Sequence, residues 1–163
     1  MNRIYLGGTT TGTSWRQELS GRMMQRGVAA ERITNPQLIE GGTYTSEHRE
    51  IERNYKRDPS TIVLMYFCPA AEEAGLTAKA QLDKSEYLSL TSVFDAAKFA
   101  YSQPHRTAVV FDYEFFTLGR GPRLALQALA DELREDFGGR PPYFSSLDEA
   151  EDWSVERLIH KPA

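Results

Sequence analysis

Long hydrophobic runs, basic clusters and cysteines are all scarce in this chain of 163 residues, and each scarcity removes a class of function. The longest apolar stretch, Ile62 to Cys68, is far too short to span a bilayer, and Ile4 to Leu6 near the N-terminus is too short for a secretory signal. A cytoplasmic protein with no membrane partner is expected. Lysine and arginine total 19 against 23 acids, a formal net charge of -4, and no basic run exceeds a pair. Binding a nucleic acid polymer requires a positive footprint that displaces condensed counterions, and none is visible. With Cys68 the only cysteine, an internal disulfide and a multi-thiolate metal site are excluded. His48, His105 and His160 show no ligand spacing, so no metal and no other cofactor is expected.

Three signatures are missing as well. There is no G-x-G-x-x-G, no G-x-x-x-x-G-K-[ST] and no G-x-S-x-G, which disfavours dinucleotide dehydrogenases, P-loop NTPases and serine hydrolases. What is present is a globular composition: 40% hydrophobic residues, 11% aromatic, 12 glycines and 8 prolines. Residues 1–163 are read as one domain with its own core.

Apolar runs of strand length alternate with segments of helical period, the pattern of βαβ crossovers that build a parallel sheet covered on both faces. Strands are predicted at Arg3–Leu6, Ile33–Asn35, Thr61–Cys68, Thr107–Phe111 and Pro142–Phe144, the third central because it is apolar throughout and the last at an edge because of its prolines. A first helix runs from a Ser14 cap, with Gln17 completing a capping box, to about Gln25, and stops at Gly27. Further helices are predicted over Ser46–Lys56 and Val93–Tyr101, from Pro122 to Phe137, and beyond Ser146, where Glu149 completes a second capping box. The expected architecture is a flavodoxin-like (Rossmann-like) doubly wound α/β fold: a mostly parallel five-stranded sheet in three α/β/α layers. From Pro69 to about Ser89 no clear period is evident, and a segment of that length suits a lid over a ligand, or else a surface insertion or subunit contact containing a short helix around Ala78 to Leu82.

In a sheet of order 2-1-3-4-5, ligands bind beyond the carboxyl ends of the first and third strands, where the winding reverses. The loop after the first strand reads Gly7, Gly8, Thr9, Thr10, Thr11, Gly12, Thr13, Ser14, Trp15, Arg16. Glycines permit close approach, a helix N-terminus attracts an anion, and hydroxyls match a sugar. The plainer reading is a tight turn with Trp15 packed on the core. Arg16 suits contact with a 5'-phosphate or an ordinary solvent-facing position. Across the crevice, Asp95 is the only acid of its helix, with Ser92 one turn earlier, an arrangement that suits a nucleophile or a first-turn acid complementing the helix dipole. Cys68 reads as core filler rather than a thiol nucleophile, since no histidine is placed to activate it.

Taken in order, several stretches resemble the nucleoside 2-deoxyribosyltransferase-like family: Ile4-Tyr5-Leu6-Gly7-Gly8-Thr9, Gly12, Trp15-Arg16, Asn35-Pro36, Tyr66-Phe67-Cys68-Pro69, Ser92-Val93-Phe94-Asp95 and Val109-Val110-Phe111. The similarity covers about residues 3 to 112 and leaves the last fifty without a motif. It implies a doubly wound fold that cleaves the N-glycosidic bond of a nucleoside or nucleotide and passes the sugar to another base or to water. Asp95 matches the carboxylate nucleophile and Tyr5 the tyrosine that orients it, while Gly7, Gly8, Thr9, Gly12, Trp15, Arg16, Asn35, Pro36 and Ser92 fall among substrate-binding positions. The family's nucleophile is usually Glu; here it is the shorter Asp. A second family acid, which positions the sugar, has no clear counterpart here; Glu50 or Glu52 could serve. The resemblance also implies a homo-oligomer. A nucleotide-binding regulatory or structural protein that has lost the chemistry is the alternative.

Overall fold

The computed structural model describes residues 2–8, 14–35, 46–68, 90–112 and 122–159. Five strands, β1 (Arg3–Gly8), β2 (Ile33–Thr34), β3 (Thr61–Phe67), β4 (Thr107–Phe111) and β5 (Tyr143–Phe144), form one sheet in the order β2-β1-β3-β4-β5. Every pairing is parallel. Helices α1 (Trp15–Gln25), α2 (Ser46–Arg57), α3 (Leu90–Ser102), α4 (Pro122–Phe137) and α5 (Leu147–Ile159) cover both faces, giving the three-layer, flavodoxin-like arrangement expected.

Strand periodicity decides what each face receives. Ile4, Leu6, Ile62, Leu64, Ala108 and Val110 point to one side, where Trp15, Leu19 and Met23 of α1 meet Ala150, Trp153 and Leu158 of α5. Tyr5, Val63, Met65, Phe67, Val109 and Phe111 point to the other, against Ala96, Phe99 and Ala100 of α3 and Leu126, Leu129 and Leu133 of α4, with Tyr55 of α2 at the margin. Strands buried on both faces must be apolar at nearly every position, which is why β3 and β4 are such unbroken runs.

The observed boundaries move for identifiable reasons. β1 continues through Gly7 and Gly8 instead of ending before them, pairing Gly7 with Met65 and Gly8 with Tyr66. The Ser14 capping box does not form. Ser14 already lies in the helical basin, with φ -95° and ψ -4°, and its hydroxyl turns to the Glu18 carboxylate, while its carbonyl accepts from Gln17 N–H at 2.9 Å. The stop at Gly27 is as expected: with φ at +92°, Gly27 lets its own N–H reach Met24 O at 3.0 Å and Val28 N–H reach Met23 O at 3.0 Å. At the second capping box Glu149 N–H donates to Ser146 Oγ at 3.2 Å, but the Glu149 carboxylate accepts from Ser145 N–H at 3.1 Å, one residue earlier than the pattern implies. The stretch from Pro69 to Ser89 lies outside the described residues.

Candidate functional site

At the carboxyl edge of the sheet, β1 is pressed against β3. A Cβ on Gly8, whose φ is +105°, would lie 2.0 Å from the Tyr66 carbonyl oxygen. A Cβ on Gly7 would lie 2.3 Å from Met65 Sδ. The close approach for which these glycines are needed is therefore to the neighbouring strand. Thr9, Gly12 and Pro36 lie outside the described residues.

Just beyond this edge α1 begins, and Arg16 turns back over the end of β1. Its Nε donates to Leu6 O at 3.0 Å and its Nη2 to Gly8 O at 3.2 Å, with the guanidinium carbon 4.6 Å from the Trp15 ring centroid. Only 6% of Arg16 is exposed, so it is not the solvent-facing arginine that its position suggested. Burial pushes its pKa down to about 10, against the opposing effect of Tyr5, Cys68 and Glu52, and it stays charged at neutral pH. Trp15 is equally buried and meets the Tyr66 ring edge-on at 5.2 Å. Cys68 is buried among the same apolar side chains, as a core residue. The half-buried Tyr66 hydroxyl hydrogen-bonds Asp112, which follows β4, and burial together with neighbouring Cys68 and Asp112 raises its pKa well above the usual phenol range.

On the opposite face, the seam between α2 and α3 holds a charged cluster above Tyr5. Lys56 Nζ lies 2.6 Å from Asp95 Oδ2, 3.6 Å from Glu52 Oε2 and 4.8 Å from the Tyr5 ring centroid. The side chains of Lys56, Glu52 and Asp95 are 13%, 21% and 21% exposed. The charges are thus partly withdrawn from water, where attraction between them is stronger than on an open surface. Lys56 is also held by its backbone: buried Arg106 donates to Lys56 O at 2.7 Å, and to Asp58 O at 3.0 Å and Thr61 O at 2.5 Å. Asp95 Oδ1 has no partner among the described residues.

The structure therefore brings Asp95 and Tyr5 to one cation, with Gly7 on the same face of β1. Ser92 is half-buried one turn earlier on α3. Asn35 belongs elsewhere: it lines a groove of about 360 Å³ with Gln17, Ser20 and Met24 of α1, on the side of the sheet away from Asp95, and its buried Oδ1 has no hydrogen-bond partner among the described residues. Of the two acids that could serve as the sugar-positioning carboxylate, Glu52 reaches the cluster and Glu50 is exposed. Lys56 and Arg106 were not singled out from sequence. The only signal available was the i, i+4 spacing of Glu52 and Lys56, which marks a surface pair far more often than half of a site.

Among the described residues no group of three or more His, Cys, Asp or Glu side chains is placed to hold a metal ion, and no helix is long and apolar enough to cross a membrane. No family model matches the chain, nor does any curated protein or solved structure.

Proposed function

We propose that the chain is a nucleoside 2-deoxyribosyltransferase-like enzyme that cleaves the N-glycosidic bond of a (deoxy)nucleoside or nucleotide and passes the sugar to a second base or to water. The observation that carries this reading is the Asp95 carboxylate: it is partly buried on α3, held 2.6 Å from Lys56 Nζ above Tyr5, and one of its oxygens has no partner among the described residues. A carboxylate nucleophile needs an ionised oxygen held in place while a second remains open to carbon. On this reading Asp95 Oδ1 bonds to the anomeric carbon as the carbon–nitrogen bond breaks. The electron pair departs with the base nitrogen, which takes a proton from water. The lone pair of an acceptor base or of water then displaces the ester, its surplus proton passes to solvent, and two inversions leave the configuration retained. On the same reading the ligand is a small molecule, the protein is cytoplasmic, and a second copy of the chain shares the site.

The Lys56 contact is also what a nucleotide-binding protein without chemistry would show, with Asp95 serving only to tie α2 to α3. Incubation with a panel of deoxynucleosides and their monophosphates, with and without a second free base, separates the two readings by chromatography. Base exchange identifies a transferase and base release alone a hydrolase; tight nucleotide binding with neither product supports the second reading.

Asp95→Asn is expected to abolish turnover while leaving nucleoside affinity largely intact, because the amide is nearly isosteric but forms no glycosyl ester. Unchanged turnover in Asp95→Asn removes Asp95 from the reaction. Asp95→Glu lengthens the acid by one methylene. Lower activity in it marks a site built around Asp, and higher activity marks a site in which Asp falls short.

A further inference from the structure

We infer that Lys56 is a positioning residue for Asp95: it fixes which carboxylate oxygen attacks, and it receives the charge when that carboxylate leaves. The inference rests on the glycosyl-transfer reading above and extends it to a residue outside the nucleophile itself. Its basis is the asymmetry of the Asp95 carboxylate. Oδ2 accepts from Lys56 Nζ at 2.6 Å, and Lys56 is the only partner of Asp95 among the described residues, so the orientation of the side chain is set from one direction. On α3 the flanking residues offer no alternative anchor, since Phe94 is 73% exposed and Ala96 is fully buried and apolar.

Lys56 is suited to this because it is immobilised at several points. Glu52 lies 3.6 Å from its ammonium on one side, the Tyr5 ring is 4.8 Å away, and Arg106 holds its carbonyl at 2.7 Å. A lysine on an open surface samples many rotamers, and an exposed pair contributes little. Here the side chain is 13% exposed, with partners on both helices and on β1. An aspartate held in this way presents Oδ1 alone for bond formation.

In the first step Oδ1 becomes the ester oxygen and Oδ2 the ester carbonyl, which still accepts from Lys56. In the second step the carbon–Oδ1 bond breaks, its electron pair returns to the carboxylate, and the ammonium meets the restored negative charge without transferring a proton. Stabilisation that grows as charge develops accelerates the step in which it develops. Lys56 therefore acts most strongly on resolution of the glycosyl-enzyme.

The test compares wild type, Asp95→Asn, Lys56→Met, Lys56→Arg and Lys56→Ala, each checked for an intact melting transition, using deoxynucleosides that wild type turns over. Lys56→Met is expected to lose about 100-fold in kcat with a much smaller change in KM, the order of magnitude that a misplaced reacting group costs. It is also expected to accumulate a covalent sugar adduct on Asp95, seen as added mass on the intact protein. Lys56→Arg restores most of the rate, and ethylammonium added to Lys56→Ala restores part of it, which a purely structural lysine would not allow. If wild type and Lys56→Met turn over equally while Asp95→Asn is inactive, the inference about Lys56 fails and the glycosyl-transfer reading stands. If Lys56→Met loses rate equally in both steps, with no adduct and no amine rescue, the lysine is structural and the inference is again overturned. If wild type releases no base from any nucleoside or nucleotide, the glycosyl-transfer reading has failed and Lys56 has no nucleophile to position.

Discussion

Gly8 and Gly7 stand side by side and are required for different reasons. At Gly8 a methyl group would meet backbone, the Tyr66 carbonyl oxygen at 2.0 Å, and φ is +105°, where an L side chain is strained in any surroundings. At Gly7 the nearest atom is the Met65 sulfur, at the far end of a flexible side chain. Gly8→Ala is therefore expected to destabilise the fold by at least about 2 kcal/mol and Gly7→Ala by distinctly less. Denaturant midpoints at an unchanged m-value measure both; equal midpoints would mean that β1 can separate from β3 at no cost. The sequence announces a close approach at this dipeptide without saying to what. A ligand and an adjacent strand make the same demand on a glycine, and only the register of β1 against β3 distinguishes them. Arg16 is a parallel case. Its burial depends on two carbonyls, those of Leu6 and Gly8, that exist as acceptors there only because β1 ends beneath α1.

For whole elements, α1 shows how little a helix in this fold depends on its own propensity. It carries Gly21 in its interior, where an added Cβ meets nothing within 4 Å. Glycine costs a helix interior up to about 1 kcal/mol relative to alanine, so Gly21→Ala is expected to stabilise the protein by roughly 0.5–1 kcal/mol. An unaltered or lower melting temperature would contradict this. What holds α1 is Trp15, Leu19 and Met23 on the sheet, and Arg22 and Arg26 against the buried Glu151 of α5. The elements themselves were legible. Unbroken apolar runs at Thr61–Phe67 and Thr107–Phe111 admit little but central strands, and Gly27 and Pro122 mark helix ends through backbone geometry that acts locally. The capping of α1 was not legible, because Ser14 found a carboxylate four residues on that serves it as well as the backbone. Nor was the Lys56–Asp95 pair. Thirty-nine residues separate the two, and their meeting is decided by how α2 and α3 lie side by side over Tyr5.

Over the whole molecule, two tyrosines with raised pKa values, Tyr101 and Tyr66, withdraw stability at alkaline pH. Burial, and then a hydrogen bond of 2.8 Å to Asp136, raise the pKa of Tyr101 to about 12. In the unfolded chain the phenol ionises near its ordinary value of 10.0, so the unfolded state gives up its proton first. The stability from Tyr101 is then complete below pH 10 and is lost as pH climbs towards 12. Tyr66 acts in the same direction. Arg16 opposes them: its lowered pKa relieves a burial cost as pH rises above about 10. The melting temperature is expected to fall between pH 10 and 12, and less steeply in Tyr101→Phe; parallel curves for the two proteins would remove Tyr101 from the effect.

Among the described residues the sheet ends on either side in two-residue strands, β2 and β5, while the long strands β1, β3 and β4 lie between them. Unpaired backbone at a sheet edge is a template on which foreign strands assemble, and its hazard grows with length and flatness. Two residues offer at most a bond or two to such a strand, and at β5 the preceding Pro142 has no N–H to donate, while its carbonyl already accepts from Val109 at 2.6 Å. The hydrophobic strands that would aggregate most readily are thereby sealed from one another's copies, and self-association of the folded protein is steered away from strand-to-strand stacking towards contacts between helices.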